Sequence, residues 1–233
     1  MLDELATWGH RPPLICADAG YGAGYGEITD FRRSLTERDI PHVVAVKPST
    51  SVYQGDAKPE LMDYTGRGPR PRTTRYQQAP SSVKDVAGTG EKFAEITWRH
   101  GTKTRPGHTL AAMTSRFTAL RVRPANPNIP KHPDGSLPEC RLIAQWPADA
   151  AEPTDYWLST LPQDTPPAEL VRLAKIRWRI EHDYRELKQD PGLAHFEART
   201  WPGWYHHVTL VTAAQLFVTS QRLTAHPKAK GAA

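Results

Sequence analysis

Arg177, Glu181 and Lys188 are the side chains in this sequence whose types and spacing best suit chemistry on a phosphate. They lie in the stretch Leu170 to Gly192, LVRLAKIRWRIEHDYRELKQDPG, which reads as one helix. At about 100° per residue, Leu173, Ile176, Ile180, Tyr184 and Leu187 form a narrow stripe that should face a core. Arg177, Glu181 and Lys188 share one flank of that stripe, with Arg177 a turn before Glu181 and Lys188 two turns after it. A carboxylate beside a core can hold a metal ion while neighbouring cations grip a phosphate. The same spacing also suits a surface helix laced with ion pairs. Glu186 is the rival acid, but it points to the other flank, towards solvent.

A second acid is placed by a different kind of element. Pro13 to Ala17 (PLICA) is a short apolar run that ends at Asp18, and glycines 20, 22, 24 and 26 follow. Ile28 to Arg38 has the spacing of an amphipathic helix, and His42 to Val46 reads as a buried strand after Pro41. Strand, helix and strand in this order predict a parallel pair with a right-handed crossover. Asp18 would then stand at the carboxyl end of a parallel strand, where open α/β sheets place their chemistry. A turn or capping aspartate is the plainer use of the same residue. GYGAGYG lacks the Lys and Ser/Thr of a phosphate-binding loop.

The totals bound what these acids can serve. The chain has 233 residues, a net charge of +5, 22 prolines and only two cysteines, Cys16 and Cys140. That length can bury a real core, and the positive balance suits a polyanionic partner. The cysteines are far apart and lack metal-ligand spacing, so a reducing compartment is expected. No charged-then-apolar leader opens the sequence and no apolar run reaches ~18 residues, so neither export nor membrane spanning is expected.

ADAGYG, then a helix, then HVVAVK resembles the second-aspartate segment of bacterial insertion-sequence transposases of the DDE class. The 170–192 stretch resembles their third-acid segment, whose signature is Tyr-x2-Arg-x3-Glu-x6-Lys. Here that pattern falls on Ala174, Arg177, Glu181 and Lys188, with Ala174 in place of the Tyr. RLAKIRWRIEHDYRELKQ, GLAHFEART, GWYHHVTL, WRHGTK and DYWLSTLP are also similar to that family. The resemblance implies a partial RNase H-like α/β fold interrupted by a β-rich insertion. Residues 1–50 would carry the first part of the core, 51–162 the insertion and 163–233 the helical second half.

Within the insertion, Ser49 to Gly90 is poor in aliphatic residues and should be mostly loop. It contains GRGPRPR, so Arg67, Arg70, Arg72 and Arg75 fall within nine residues with no acid among them. Such a tract can lie along phosphates or in a minor groove, and it also suits a solvated basic loop. From Phe93 the pattern changes to strands at FAEITW, FTALRV, RLIAQW and YWLS, which predict a small antiparallel sheet. Trp98 and Trp157 bracket this region. By resemblance, Trp98 could stack on a flipped base beside Arg99 and Lys103, although a core tryptophan is the commoner use. Further on, Trp204 to Gln221 is apolar on most sides and should be a helix buried against the sheet.

By resemblance, Asp18 is the second and Glu181 the third catalytic and metal-binding acid, with Mg2+ or Mn2+ as the ions. Arg177 and Lys188, with Arg67, Arg70, Arg72 and Trp98, would contact double-stranded DNA at transposon terminal repeats. A homodimer and a bacterial, nucleoid-associated cytoplasmic setting are further implications. The first acid is not matched. Only 17 residues precede Asp18, whereas a three-strand meander needs on the order of 25–30. MLDELATWGHRPP reads as part of a helix and a loop, so Asp3 cannot take that place. The expectation is therefore the carboxyl-terminal portion of a transposase, inactive alone. The alternative is a non-catalytic DNA-binding remnant or inhibitor.

Overall fold

The structure is a computed structural model. It describes residues 2–18, 29–64, 72–90, 95–99, 103–105, 108–109, 113–126, 128–197 and 199–225, with Gly66, Gly68 and Arg70. Two compact units are present, Met1–Ile176 and Arg177–Ala233.

The first unit begins with α1 (Leu2–Thr7), β1 (Ile15–Ala17), α2 (Thr29–Glu37) and β2 (His42–Val46). β1 and β2 pair in parallel, with Ile15 opposite His42 and Ala17 opposite Val44, as the strand–helix–strand pattern predicts. Then come β3 (Ser51–Gln54), β4 (Glu60–Leu61), β5 (Thr74–Arg75), β6 (Ser81–Ser82) and α3 (Val83–Thr89). β7 (Ile96–Arg99), β8 (Lys103–Arg105), β9 (His108–Thr109), β10 (Met113–Pro124), β11 (Cys140–Trp146), β12 (Asp155–Ser159) and α4 (Pro167–Ala174) complete it.

The strands β7, β10, β11 and β12 pair antiparallel with one another as expected, but they continue into the β1–β2 pair and do not form a separate small sheet. The main sheet runs β1-β2-β12-β11-β10-β3-β6, with β7 also paired to β10. β12 lies antiparallel to β2, Leu158 opposite Val44. The physical reason is the second edge of β2. Its buried N–H and C=O groups need partners, and β12 supplies them. Among the described residues β1 pairs with β2 alone, so it ends the sheet.

Helices cover both faces of this sheet, and period-two alternation decides which side chain goes where. Val44, Val46, Leu142 and Tyr156 pack with Val83, Val86 and Ala87 of α3 and with Phe31 of α2. Val43, Ile143, Phe117 and Trp157 face Leu170, Val171, Leu173 and Ala174 of α4. Phe117 and Ile143 have no exposed surface, and burying each contributes about 1.5–3 kcal/mol.

Ser49 to Gly90 holds more structure than its composition predicts, namely β3 to β6 and α3. Ser82 caps α3 by accepting from the Asp85 N–H at 3.1 Å, and the Ser82 hydroxyl donates to the Asp85 carboxylate at 2.7 Å. Val83, Val86 and Ala87 form its buried side. A Ser-x-x-Asp followed by this apolar spacing is a legible helix signal that was outweighed by the flanking Gly, Pro and Thr.

The helix expected over 170–192 is two helices. α4 ends at Ala174 and α5 runs Arg177–Gln189. Pro166 occupies the cap position of α4 and makes no side-chain cap.

The second unit contains α5, a 3-10 turn at Leu193–His195 and α6 (Trp201–Ala225). Gly192, at φ +82°, opens the turn in a conformation that favours glycine. His207 Nε2 lies 3.2 Å from the Gly192 carbonyl oxygen, and Phe196 meets Trp204 edge-on at 5.2 Å between centroids. α6 does not bury its apolar surface as expected. Leu210, Leu216 and Phe217 are 63–70% exposed, whereas Val211 is buried. Tyr184, expected in the core stripe of α5, is likewise exposed.

Candidate active site

Asp18 is the residue immediately after β1 and is half-buried. The parallel pairing puts it at the same end of the sheet as Val46 and Lys47, the carboxyl end of β2. β12 runs the opposite way, so its first residue, Asp155, is at this end as well. The strand–helix–strand order therefore fixes Asp18 at the carboxyl end of a parallel strand and at the edge of the sheet.

Asp3 is accounted for elsewhere. Its carboxylate accepts from Arg38 Nε at 2.9 Å and Nη2 at 2.8 Å, tying α1 to the residue after α2. That is a structural role in an exposed ion pair.

Glu181 and Arg177 lie on the backbone of α5 with Lys188, but their side chains fall outside the described residues. Lys188 is exposed, and its ammonium sits 4.4 Å from the centre of the Tyr184 ring. Glu186 does not simply face solvent. It is half-buried and accepts from Gln215 Nε2 of α6 at 3.2 Å.

β4 and β5 pair as a hairpin, Glu60 opposite Arg75, and the arginine tract is its loop. Arg70 and Arg72 are exposed there, and Arg67 lies outside the described residues. Arg70 stands 5.4 Å from the Tyr64 ring, whose hydroxyl donates to the Gly68 carbonyl at 3.1 Å.

Trp98 is half-buried against the core beneath α4. A lysine covers it. Lys175 Nζ lies 5.1 Å from the Trp98 centroid and 4.9 Å from that of Trp157, with an Asp155 oxygen at 3.6 Å. Burial pushes the Lys175 pKa down, and Asp155 pulls it back up. The sequence marks both tryptophans but not the cation between them, because its pattern puts Lys175 inside one continuous helix over 170–192.

Among the described residues no three His, Cys, Asp or Glu side chains gather as a metal cluster. Asp18 is by chemistry a hard oxygen donor of the type Mg2+ takes. Among the described residues no helix is long and apolar enough to cross a membrane.

Residues 1–105 match the protein family described as DDE superfamily endonuclease. The matched segment contains Asp18, β1, α2 and β2, and it supports a DDE-type endonuclease or transposase relationship there. It covers 105 of 233 residues, and it stops before α4 and α5. No curated protein matches the chain significantly.

Proposed function

We propose that this chain is part of a DDE-type DNA transposase, with Asp18 and Glu181 as two ligands of shared divalent metal ions. The observation that carries the reading is Asp18 at the carboxyl end of β1, inside the segment that matches a DDE endonuclease family. Carboxylate oxygens fit Mg2+ or Mn2+, and bound ions would activate the attacking oxygen and steady the leaving one at a DNA phosphate. The chain's own residues would grip and orient the DNA. Arg177 and Lys188 would bond backbone phosphates near the acids, and Arg67, Arg70 and Arg72 would track the duplex from the β4–β5 loop. Trp98 belongs to this reading only as a stacking surface that Lys175 must first uncover.

The reading includes an RNase H-like core, with β10, β11 and β12 of the 51–162 region joined to β2 in its main sheet. It also includes insertion-sequence ends as substrate, a homodimer and action at the bacterial nucleoid. It assigns two acids, and Asp3 is committed to Arg38. With no third carboxylate in the set, the purified chain is expected to be inert or nearly so in strand cleavage and transfer. An assay with terminal-repeat DNA and Mg2+ or Mn2+ tests this, and robust metal-dependent cleavage would refute the two-acid assignment. A DNA-binding remnant is the second reading. The exposed arginines of the β4–β5 loop favour it, because they can act without metal.

A further inference from the structure

A cavity of about 370 Å³ opens between α2, the start of β2, the end of β10 and the loop around Pro130. That volume is within the range of small-molecule sites, roughly 300–1,000 Å³. Ile129, Pro130, Pro138 and Leu158 make its walls largely apolar. His42, only 3% exposed, also lines it. Its Nδ1 lies 3.1 Å from the Ile40 carbonyl oxygen and so carries the ring proton, leaving Nε2 as an acceptor. Nε2 has no hydrogen-bond partner among the described residues. Among the described residues the sealed side-chain atoms without a partner are Trp98 Nε1, Thr118 Oγ1 and Gln145 Oε1, and His42 Nε2 is not among them. The ring belongs to a residue that borders this cavity. Burial keeps the imidazole neutral by holding its pKa down.

The charges at the rim are unequal. Glu37 is engaged by Arg33 at 3.4 Å and Glu139 by Arg123 at 3.4 Å. Lys131 lines the cavity, is exposed and has no ion-pair partner among the described residues. We propose that the cavity binds a small aromatic carboxylate bearing a ring N–H or O–H, which donates to His42 Nε2 while its carboxylate meets Lys131. This site is independent of the metal reading. Ile15 and His42 pair across parallel strands, so Asp18 lies three residues further along, roughly 10 Å towards the other end of the sheet.

Indole-3-acetate is a suitable probe, with the protein labelled with 15N at histidine. The expected result is a saturable shift of the His42 Nε2 resonance, with a dissociation constant below about 1 mM. 1-Methylindole-3-acetate, which lacks the donor, should bind at least about tenfold more weakly. Lys131→Ala should weaken indole-3-acetate by about threefold and leave 3-methylindole unchanged. The proposal is overturned if His42 does not respond, if the N-methyl ligand binds equally well, or if Lys131→Ala weakens both ligands alike.

Discussion

His42 occupies the first position of β2, where its backbone N–H donates to Thr160 Oγ1 at 3.0 Å and its imidazole Nδ1 lies 3.1 Å from the Ile40 carbonyl oxygen. Burial pushes its pKa below the ordinary 6.5, the Arg32 charge pushes the same way, and the hydrogen bond to Ile40 opposes them. The unfolded chain therefore binds this proton more readily than the folded one. Stability held above the unfolded pKa is lost as pH falls from about 6.5 through the lower folded value. Urea midpoints measured across that window should drop on acidification. His42→Gln should flatten that drop, and an acid limb unchanged by the substitution would show that His42 does not cause it. At this scale the sequence was partly readable. Asp18 could be placed because an apolar run ends on it, whereas the His42 ring is held by Ile40 and by Thr160, which is 118 positions away.

Lys175 shows what local pattern could not convey. Leu173, Ala174, Lys175, Ile176, Arg177 and Trp178 include no glycine or proline. Most are good helix formers, so propensity alone gives no reason to break there. The break coincides with a tertiary contact, the Lys175 ammonium held between Trp98 and Trp157 beside Asp155. Each cation–π contact contributes about 0.5–2 kcal/mol, enough to offset the few tenths lost by ending a turn. Lys175→Met keeps the apolar stem and removes the charge. Because desolvation of the lysine offsets its attractions, stability should change by no more than about 1 kcal/mol. The 13Cα shifts of Lys175's replacement and Ile176 should move towards helical values as α4 and α5 join. Unchanged shifts would remove the clamp as the cause of the break. β1, α2 and β2 were legible because prolines and glycines punctuate them and their apolar periods are clean. Which strand would take the free edge of β2 was not legible, since it is settled by pairing with β12 more than a hundred residues later.

Across the whole molecule, the positive charge excess suits a polyanionic partner. The net charge is +5, and the β4–β5 hairpin presents Arg70 and Arg72 with both side chains exposed. Binding to duplex DNA should weaken steeply with salt, because each phosphate contact releases condensed counterions. Replacing both arginines with alanine should lower the log–log slope by about 2, since each contact contributes about 0.9. A slope equal to that of the unaltered chain would move the DNA contact away from this loop. The arginine tract was visible in the sequence, but the hairpin that projects it was not, because its strands are two residues each.

The proposed shared use of Asp18 and Glu181 is tested most directly by Mn2+ binding, followed by electron paramagnetic resonance on the unaltered chain, Asp18→Asn and Glu181→Gln. Each substitution should weaken binding by about tenfold or more, and the double variant should be little worse than either alone, as for two ligands of one ion site. Mn2+ affinity that survives both substitutions would contradict the assignment of these two carboxylates.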